Sequence, residues 1–391
     1  MDKIENGKDW GIFTKCVMTR RDFLKAASTA AAGTAGVLGT TSAGSLLAAE
    51  GRIAVNGLPG AVLGRTGFKI TRVSFGGILL TDPPVLQRAV DQGIKLVHTS
   101  PGYQNGRSME ALGKAFMSSK ELRDKVVLAL KVRPEKLDQC LKVLGTDYVD
   151  MLIPPMDSIE EISSSELREN FEKARKAGKC GHMGFACHTQ RPEIIDKMVE
   201  LGFYDVILMS YADRNKPFLD SLSKARKAGI GILAMKGLPK RASNNPGRKE
   251  QELIGSLCTS IVERWHAHTV LASMGSFQAV EMYTDILKNK LGFYDGEAEE
   301  RYWAGLDGNY CAMCGTCSGQ CPQQGRNIQR ILRYRMYHRD YGLTEYARAK
   351  YSRLAAAAKS VSDSELALCE TVCTRKLPLR KMVAEARLLL A

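Results

Sequence analysis

The chain lacks the glycine fingerprint that cradles a dinucleotide after a first strand. Ser74-Phe75-Gly76-Gly77 stands there instead, which argues against an open, doubly wound sheet. It also lacks a stretch apolar enough to read as a membrane span, because the longest candidate, ending at Ala49, is interrupted by Gly and Ser. The eleven cysteines are an odd number, and a disulfide framework is not expected in a chain this long with cysteines grouped at metal-ligand spacing. What is present is ordinary for a soluble globular body: 44% apolar residues, 25% charged residues and a mean hydropathy of −0.20. The 391 residues leave room for a barrel of about 250 residues and a smaller module.

The formal net charge of +14 raises the question of an acidic partner. From Arg301 onward there are fifteen Lys and Arg against seven Asp and Glu, beside six of the cysteines. A [4Fe-4S] core on four thiolates carries a charge of about −2, so counter-charge for such a cluster is the first reading. Docking of an acidic redox partner comes second, and nucleic acid is not expected.

Thr19-Arg20-Arg21-Asp22-Phe23-Leu24-Lys25 opens an acid-free stretch of small residues. This order is that of a signal peptide, and the paired arginines resemble the twin-arginine consensus. Such signals serve proteins that fold before crossing, as a protein carrying a cluster must. An exported, periplasmic or extracytoplasmic location is therefore expected, with the twin-arginine machinery as partner and membrane contact only through the signal. Met18 directly precedes the motif and reads as the start of the natural chain.

From about Gly60 to Leu291, short β-branched or apolar runs alternate with amphipathic helical stretches. The candidate strands are 70–75, 95–99, 126–132, 149–153, 182–186, 206–210, 231–235 and 269–273. The helical stretches between them include 108–116, 135–144, 166–177, 192–201, 217–228, 251–266 and 277–289. Eight such units predict an α/β fold, a (β/α)₈ TIM barrel, whose chemistry lies at the C-terminal ends of its strands.

Motifs at those ends carry a resemblance. Leu63-Gly64-Arg65-Thr66-Gly67, His98-Thr99-Ser100-Pro101-Gly102-Tyr103, Gly106-Arg107-Ser108-Met109-Glu110, Leu130-Lys131, Asp147-Tyr148-Val149-Asp150, Gly178-Lys179-Cys180-Gly181 and Ala234-Met235-Lys236 occur in one order over about 230 residues. In that order they resemble the aldo/keto reductases. The resemblance implies hydride transfer from NADP or NAD to a carbonyl, with Tyr103 as proton donor and Lys131 as the cation that lowers its pKa. Two positions depart: His98 stands where the family has an aspartate, and Pro155 where it has a histidine. His98 could still accept a hydrogen bond from Lys131, and His188 would also face the mouth. Lys236, Gly275 and Ser276 are the implied cofactor contacts, the last two in a turn that leads into a helix N-terminus.

Cys311-x-x-Cys314-x-x-Cys317-x-x-x-Cys321-Pro322 is the strongest motif. Cysteines at intervals of three let one loop wrap three corners of a cubane, whereas zinc more often uses two separated Cys-x-x-Cys pairs. A small C-terminal α-helical iron–sulfur segment is therefore expected. By resemblance to a ferredoxin-like double motif, the fourth ligand is Cys373, with Cys321 and Cys369 left over; Cys321 itself is the local alternative. Two helices, 326–341 and 344–359, would return Cys373 to the first loop, with Thr344 capping the second. The expected organisation is an N-terminal extension and signal over 1–49, a reductase-like barrel over 50–300 and a cluster-binding domain over 301–391. The partner at the site is a small-molecule substrate or a redox protein.

Overall fold

The computed structural model describes residues 53–391 apart from 213–215, 240–246, 307 and 318–321. They belong to the compact unit Gly39–Ala391; the second unit, Met1–Leu38, lies outside the described residues, as does the whole signal segment. Eight parallel strands close on themselves: β1 (Val73–Gly76), β2 (Leu96–Thr99), β3 (Val127–Leu130), β4 (Val149–Leu152), β5 (Cys180–Cys187), β6 (Val206–Ser210), β7 (Gly231–Met235) and β8 (Thr269–Ser273). The ring closes where β8 lies on β1 in the register Val270 to Val73 and Ser273 to Gly76. A buried hydroxyl pair, Ser74 Oγ to Thr269 Oγ1 at 2.7 Å, ties the seam.

Period-two alternation sends one set of side chains inward, among them Leu96, Val127, Ala129, Met151, Leu208 and Leu233. The other set meets the outer helices α1 (Pro83–Asp91), α2 (Arg107–Ser118), α3 (Leu137–Leu144), α4 (Ser165–Lys176), α5 (Pro192–Leu201), α6 (Lys216–Lys227), α7 (Arg248–Thr259) and α8 (Phe277–Asn289). Each fully buried Leu or Ile in these layers is worth about 1.5–3 kcal/mol.

The first expected strand, 70–75, proves to be two. Lys69–Thr71 pairs with Leu58–Val62 in a small antiparallel sheet, and only Val73–Gly76 enters the barrel. Arg72 is the switch: its amide donates to Pro59 O at 2.9 Å, while its carbonyl accepts from Val270 N at 3.0 Å. This sheet plugs the N-terminal end of the barrel, with Leu63 and Ile70 joining the interior cluster. Arg65 fastens it, donating to Tyr204 O and pairing with Asp205 at 3.1 Å. Asp150, noted in sequence as part of a family motif, is a buried scaffold group. It pairs with Arg123 at 3.0 Å and accepts from Leu128 N at 2.8 Å.

Past the barrel come α9 (Gly296–Leu306), α10 (Pro322–Arg339), α11 (Thr344–Ser352), α12 (Asp363–Thr371) and α13 (Leu379–Leu390). They share a separate apolar cluster around Ile331, Leu332, Tyr346, Leu377 and Val383. The single helix expected over 344–359 breaks after Ser352 and resumes as the short turn Ala356–Lys359. Thr344 does not cap; it is the first helical residue, and its hydroxyl pairs with His338 Nδ1 at 3.0 Å.

Helix α2 meets α3 at Gly113, where a Cβ would collide with the carbonyl of Val143. Gly305, in α9, has nothing within 4 Å of the same position. Gly113→Ala is therefore expected to destabilise by about 1–3 kcal/mol, against a helix propensity gain of up to about 1 kcal/mol. Gly305→Ala should be neutral or stabilising. Urea unfolding of both variants checks this, and a Gly113→Ala protein as stable as the parent would refute the close packing.

Candidate active site and cysteine pocket

Tyr103 follows β2 on the short turn Tyr103–Gly106, and its three successors hold positive φ: Gln104 at 48°, Asn105 at 57° and Gly106 at 102°. Gln104 and Asn105 are strained there, and the strain is held by a buried bond from Gln104 Nε2 to Ile78 O at 2.9 Å. Lys131 comes one residue after β3, with its amide on Thr99 O at 2.8 Å. These anchors bring the Lys131 ammonium 4.7 Å from the centre of the Tyr103 ring, over the ring face. The His98 ring meets the Tyr103 ring edge to face, 5.8 Å between centroids. All three residues line one cavity of about 480 Å³ at the barrel mouth, together with His188, Met235, Lys236 and Ser273.

Two walls of this cavity come from beyond the barrel: Tyr337 of α10 and Tyr341 just after it. Among the described residues, no carboxylate lines it. Burial, then the charges of Arg333 and Lys350, push Lys131 down from an ordinary 10.5 to about 7, with Asp157 opposing. Burial, then Lys131, holds His98 well below the usual imidazole range, and its buried Nε2 has no hydrogen-bond partner among the described residues. Burial, then Tyr337, Tyr346 and Tyr341, raises Tyr103 well above the usual phenol value. The expectation that Lys131 lowers the Tyr103 pKa is thus not met in this arrangement: the phenol stays protonated as a donor, and the lysine is the group tuned to neutral pH.

His188, directly after β5, is 8% exposed and belongs to the mouth, as its position in the sequence implied. Pro155 bridges to Ala186 at the same end of the barrel and lines a neighbouring cavity instead of the mouth itself. Lys236, held at φ 63°, lines the mouth and donates to Met313 Sδ at 3.3 Å. Gly275 and Ser276 do not line the mouth cavity. Gly275 packs tightly on Leu79, and Ser276 caps α8 by accepting from Ala279 N at 3.2 Å.

Cys311, Cys314, Cys317 and Cys373 line one pocket of about 380 Å³, closed by Ile328, Leu332, Leu377 and Leu379. Burial pushes the Cys311 thiol up to about 12, with its neighbours Cys317, Cys314 and Cys373 adding to the rise. Burial does the same for Cys317, also to about 12, with Cys369 and Cys314 contributing. Cys369 is fully buried and does not line the pocket. Cys321 lies outside the described residues. Among the described residues no three His, Cys, Asp or Glu side chains form a site for a single metal ion. Gln329 Nε2 donates to Cys317 Sγ at 3.7 Å, and Met313, inside the cysteine loop, accepts at its backbone from Gln190 N at 3.3 Å. The cysteine loop therefore rests on the barrel's mouth.

A barrel whose strand ends gather a tyrosine, a lysine and a histidine around one cavity belongs to the class of (β/α)₈ proteins with the site at that end. The sequence model of the aldo/keto reductase family matches residues 83–236, from α1 to just past β7. Aldo-keto reductase YhdN of Bacillus subtilis (strain 168) is 30% identical over 156 residues, 34% of this chain and 46% of the relative. The chain thus spans about half the length of that curated relative. Aldo-keto reductase AKR11C1 from Bacillus halodurans, in its holo form, superposes with a TM-score of 0.51 at 18% identity, covering 64% of this chain and 96% of its own. That likeness establishes the shared fold.

Because Lys131 resists protonation only when folded, the unfolded chain holds more protons between about pH 7 and its ordinary 10.5. Stability should therefore rise with pH across that window, and the penalty should be fully present below it. Lys131→Met is expected to remove the rise, up to about 5 kcal/mol for a shift of this size, and to melt higher than the parent at pH 6. Identical pH slopes for the two proteins would count against a buried, unpaired Lys131.

Proposed function

We propose that the protein is an exported iron–sulfur oxidoreductase of the aldo/keto reductase type, which reduces a carbonyl at the barrel mouth. The observation that carries this reading is the convergence of Tyr103, Lys131 and His98 on one acid-free cavity at the strand ends. The residues present fit a nicotinamide at its reacting end, and the first-turn amides of α8 fit an anion at its far end. When bound, NADP or NAD supplies the hydride to the carbonyl carbon. The chain's own residues manage the proton and the orientation. Tyr103, kept protonated by burial, donates from its hydroxyl to the developing alkoxide oxygen. Lys131, near neutral pH, stabilises the phenolate left behind. His98 offers a neutral imidazole whose free Nε2 can bind the substrate oxygen or the lysine, and the tyrosine wall of α10 excludes water.

Four thiols around one pocket are the donor set for a [4Fe-4S] cluster, so Cys311, Cys314, Cys317 and Cys373 would hold it. The Cys311-x-x-Cys314-x-x-Cys317 spacing suits a cubane better than zinc. Cluster chemistry supplies one electron at a time, whereas carbonyl reduction takes two, so the cluster either relays electrons to a partner or braces the tail. Export rests on Arg20-Arg21. A second reading, an electron-transfer or binding protein on a reductase scaffold, is favoured by the missing carboxylate at the mouth and by Pro155.

Tyr103→Phe should lower carbonyl reduction by about 100-fold or more while NADPH binding, followed by fluorescence, changes little. Absence of binding by NADPH and NADH at millimolar levels would favour the second reading. Anaerobically purified protein should contain four irons and give an EPR signal on reduction that survives Cys369→Ala and is lost in Cys373→Ala. A colourless, iron-free protein, or the reverse pattern in the two variants, would overturn the ligand set.

A further inference from the structure

Beside the mouth lies a second cavity of about 1130 Å³, including its opening to solvent. One wall is barrel: Pro155, Asp157, Ser158, Glu161, His188 and Arg191. The opposite wall is α10, which contributes Gln329, Arg330 and Arg333. His188 lines both this cavity and the mouth, so the two are neighbours.

The charges on the walls are unevenly engaged. Glu161 pairs with Arg133 at 3.0 Å and accepts from Asp157 N at 2.8 Å. Asp157 accepts from His188 N at 2.7 Å and from the Cys187 thiol at 3.5 Å. Arg191 pairs with Glu193 at 2.6 Å. Arg330 and Arg333 make no hydrogen bond or ion pair with any described residue. They are not counter-charges lining the cysteine pocket either, because the arginine there is Arg375, which donates to the Trp303 and Ala212 carbonyls. Arg333 nevertheless acts electrostatically on both His188 and Lys131. A half-buried guanidinium facing a roomy cavity, beside two lysines of an acid-free mouth and with Asp157 acting on it only through space, leaves its hydrogen-bonding fork open to an anion. Its planar fork matches a carboxylate in two parallel hydrogen bonds.

We propose that this cavity is a carboxylate subsite in which Arg333, assisted by Arg330, holds the acid end of an oxo acid whose carbonyl reaches Tyr103. The proposal rests on the carbonyl-reductase reading for the second half of that statement and stands apart from it for the first. The substrate class is a short-chain oxo acid with one anionic end; the two acids on the barrel wall disfavour a second.

Calorimetric titration of the anaerobically purified full chain, without nicotinamide, tests the subsite by binding alone. The probes are 2-oxobutanoate, its neutral amide 2-oxobutanamide and inorganic phosphate. The acid should bind at least about tenfold more tightly than the amide. Arg333→Gln should lose that preference, Arg333→Lys should recover part of it, and Arg330→Gln should weaken it in a second, independent variant. Equal affinity for acid and amide, an unchanged preference in Arg333→Gln, or tighter binding of phosphate than of the acid would each overturn the assignment. If the acid binds as expected and is never reduced with NADPH, the subsite stands and the reductase reading falls. If neutral aldehydes are reduced and the acid gains no preference, the reductase reading stands and the subsite falls.

Discussion

The packing of α10 across the C-terminal ends of the barrel strands is the contact on which the site depends. It sets Tyr337 against the mouth, Arg333 beside it and Gln329 on the cysteine loop. It also turns an open barrel end into a buried one, and burial governs the electrostatics that follow. A lysine under that cover, next to an arginine and a second lysine, has its proton held only weakly. The same cover keeps Tyr103 and both mouth histidines uncharged. The tail thus forms part of the wall of the mouth cavity.

The exchange of a carboxylate for His98 has a direct physical meaning. A carboxylate would offset the ammonium of Lys131 in a low-dielectric setting, whereas a neutral imidazole offers only a lone pair. With burial as the larger cause, the lysine moves towards neutral pH. Asp157, facing both Lys131 and Arg333, offsets part of the positive charge gathered there. Lys236, on a left-handed backbone and donating to Met313, joins the mouth to the cysteine loop.

Much of this was legible in the residues. Apart from the first, the barrel strands fall within a residue or two of their expected positions, and helices Pro192–Leu201 and Phe277–Asn289 match their expected bounds, because hydrophobic period, Pro starts and caps are local signals. Where expectation failed, a distant partner decided. Arg72 breaks the first strand because Pro59 and Val270 claim its two backbone groups. Thr344 forgoes capping for His338. Arg333 and Tyr337 lie within the helix expected over 326–341. Nothing in their neighbourhood in the chain marks them as mouth residues, since they meet His98 and Lys131 from some 200 positions away.

The order of residues along the chain determined the elements, the barrel count, the positions of Tyr103 and Lys131 and the spacing of the cysteines, since each of these follows from near neighbours and backbone preference. Tertiary structure brings Cys373, the fourth ligand that the resemblance implied, to the same pocket as Cys311, Cys314 and Cys317. It alone decided that α10 roofs the mouth and that two arginines are left facing a cavity. Those outcomes depend on which apolar surfaces bury one another across long stretches of chain, and burial is also what sets the charge states on which the chemistry turns.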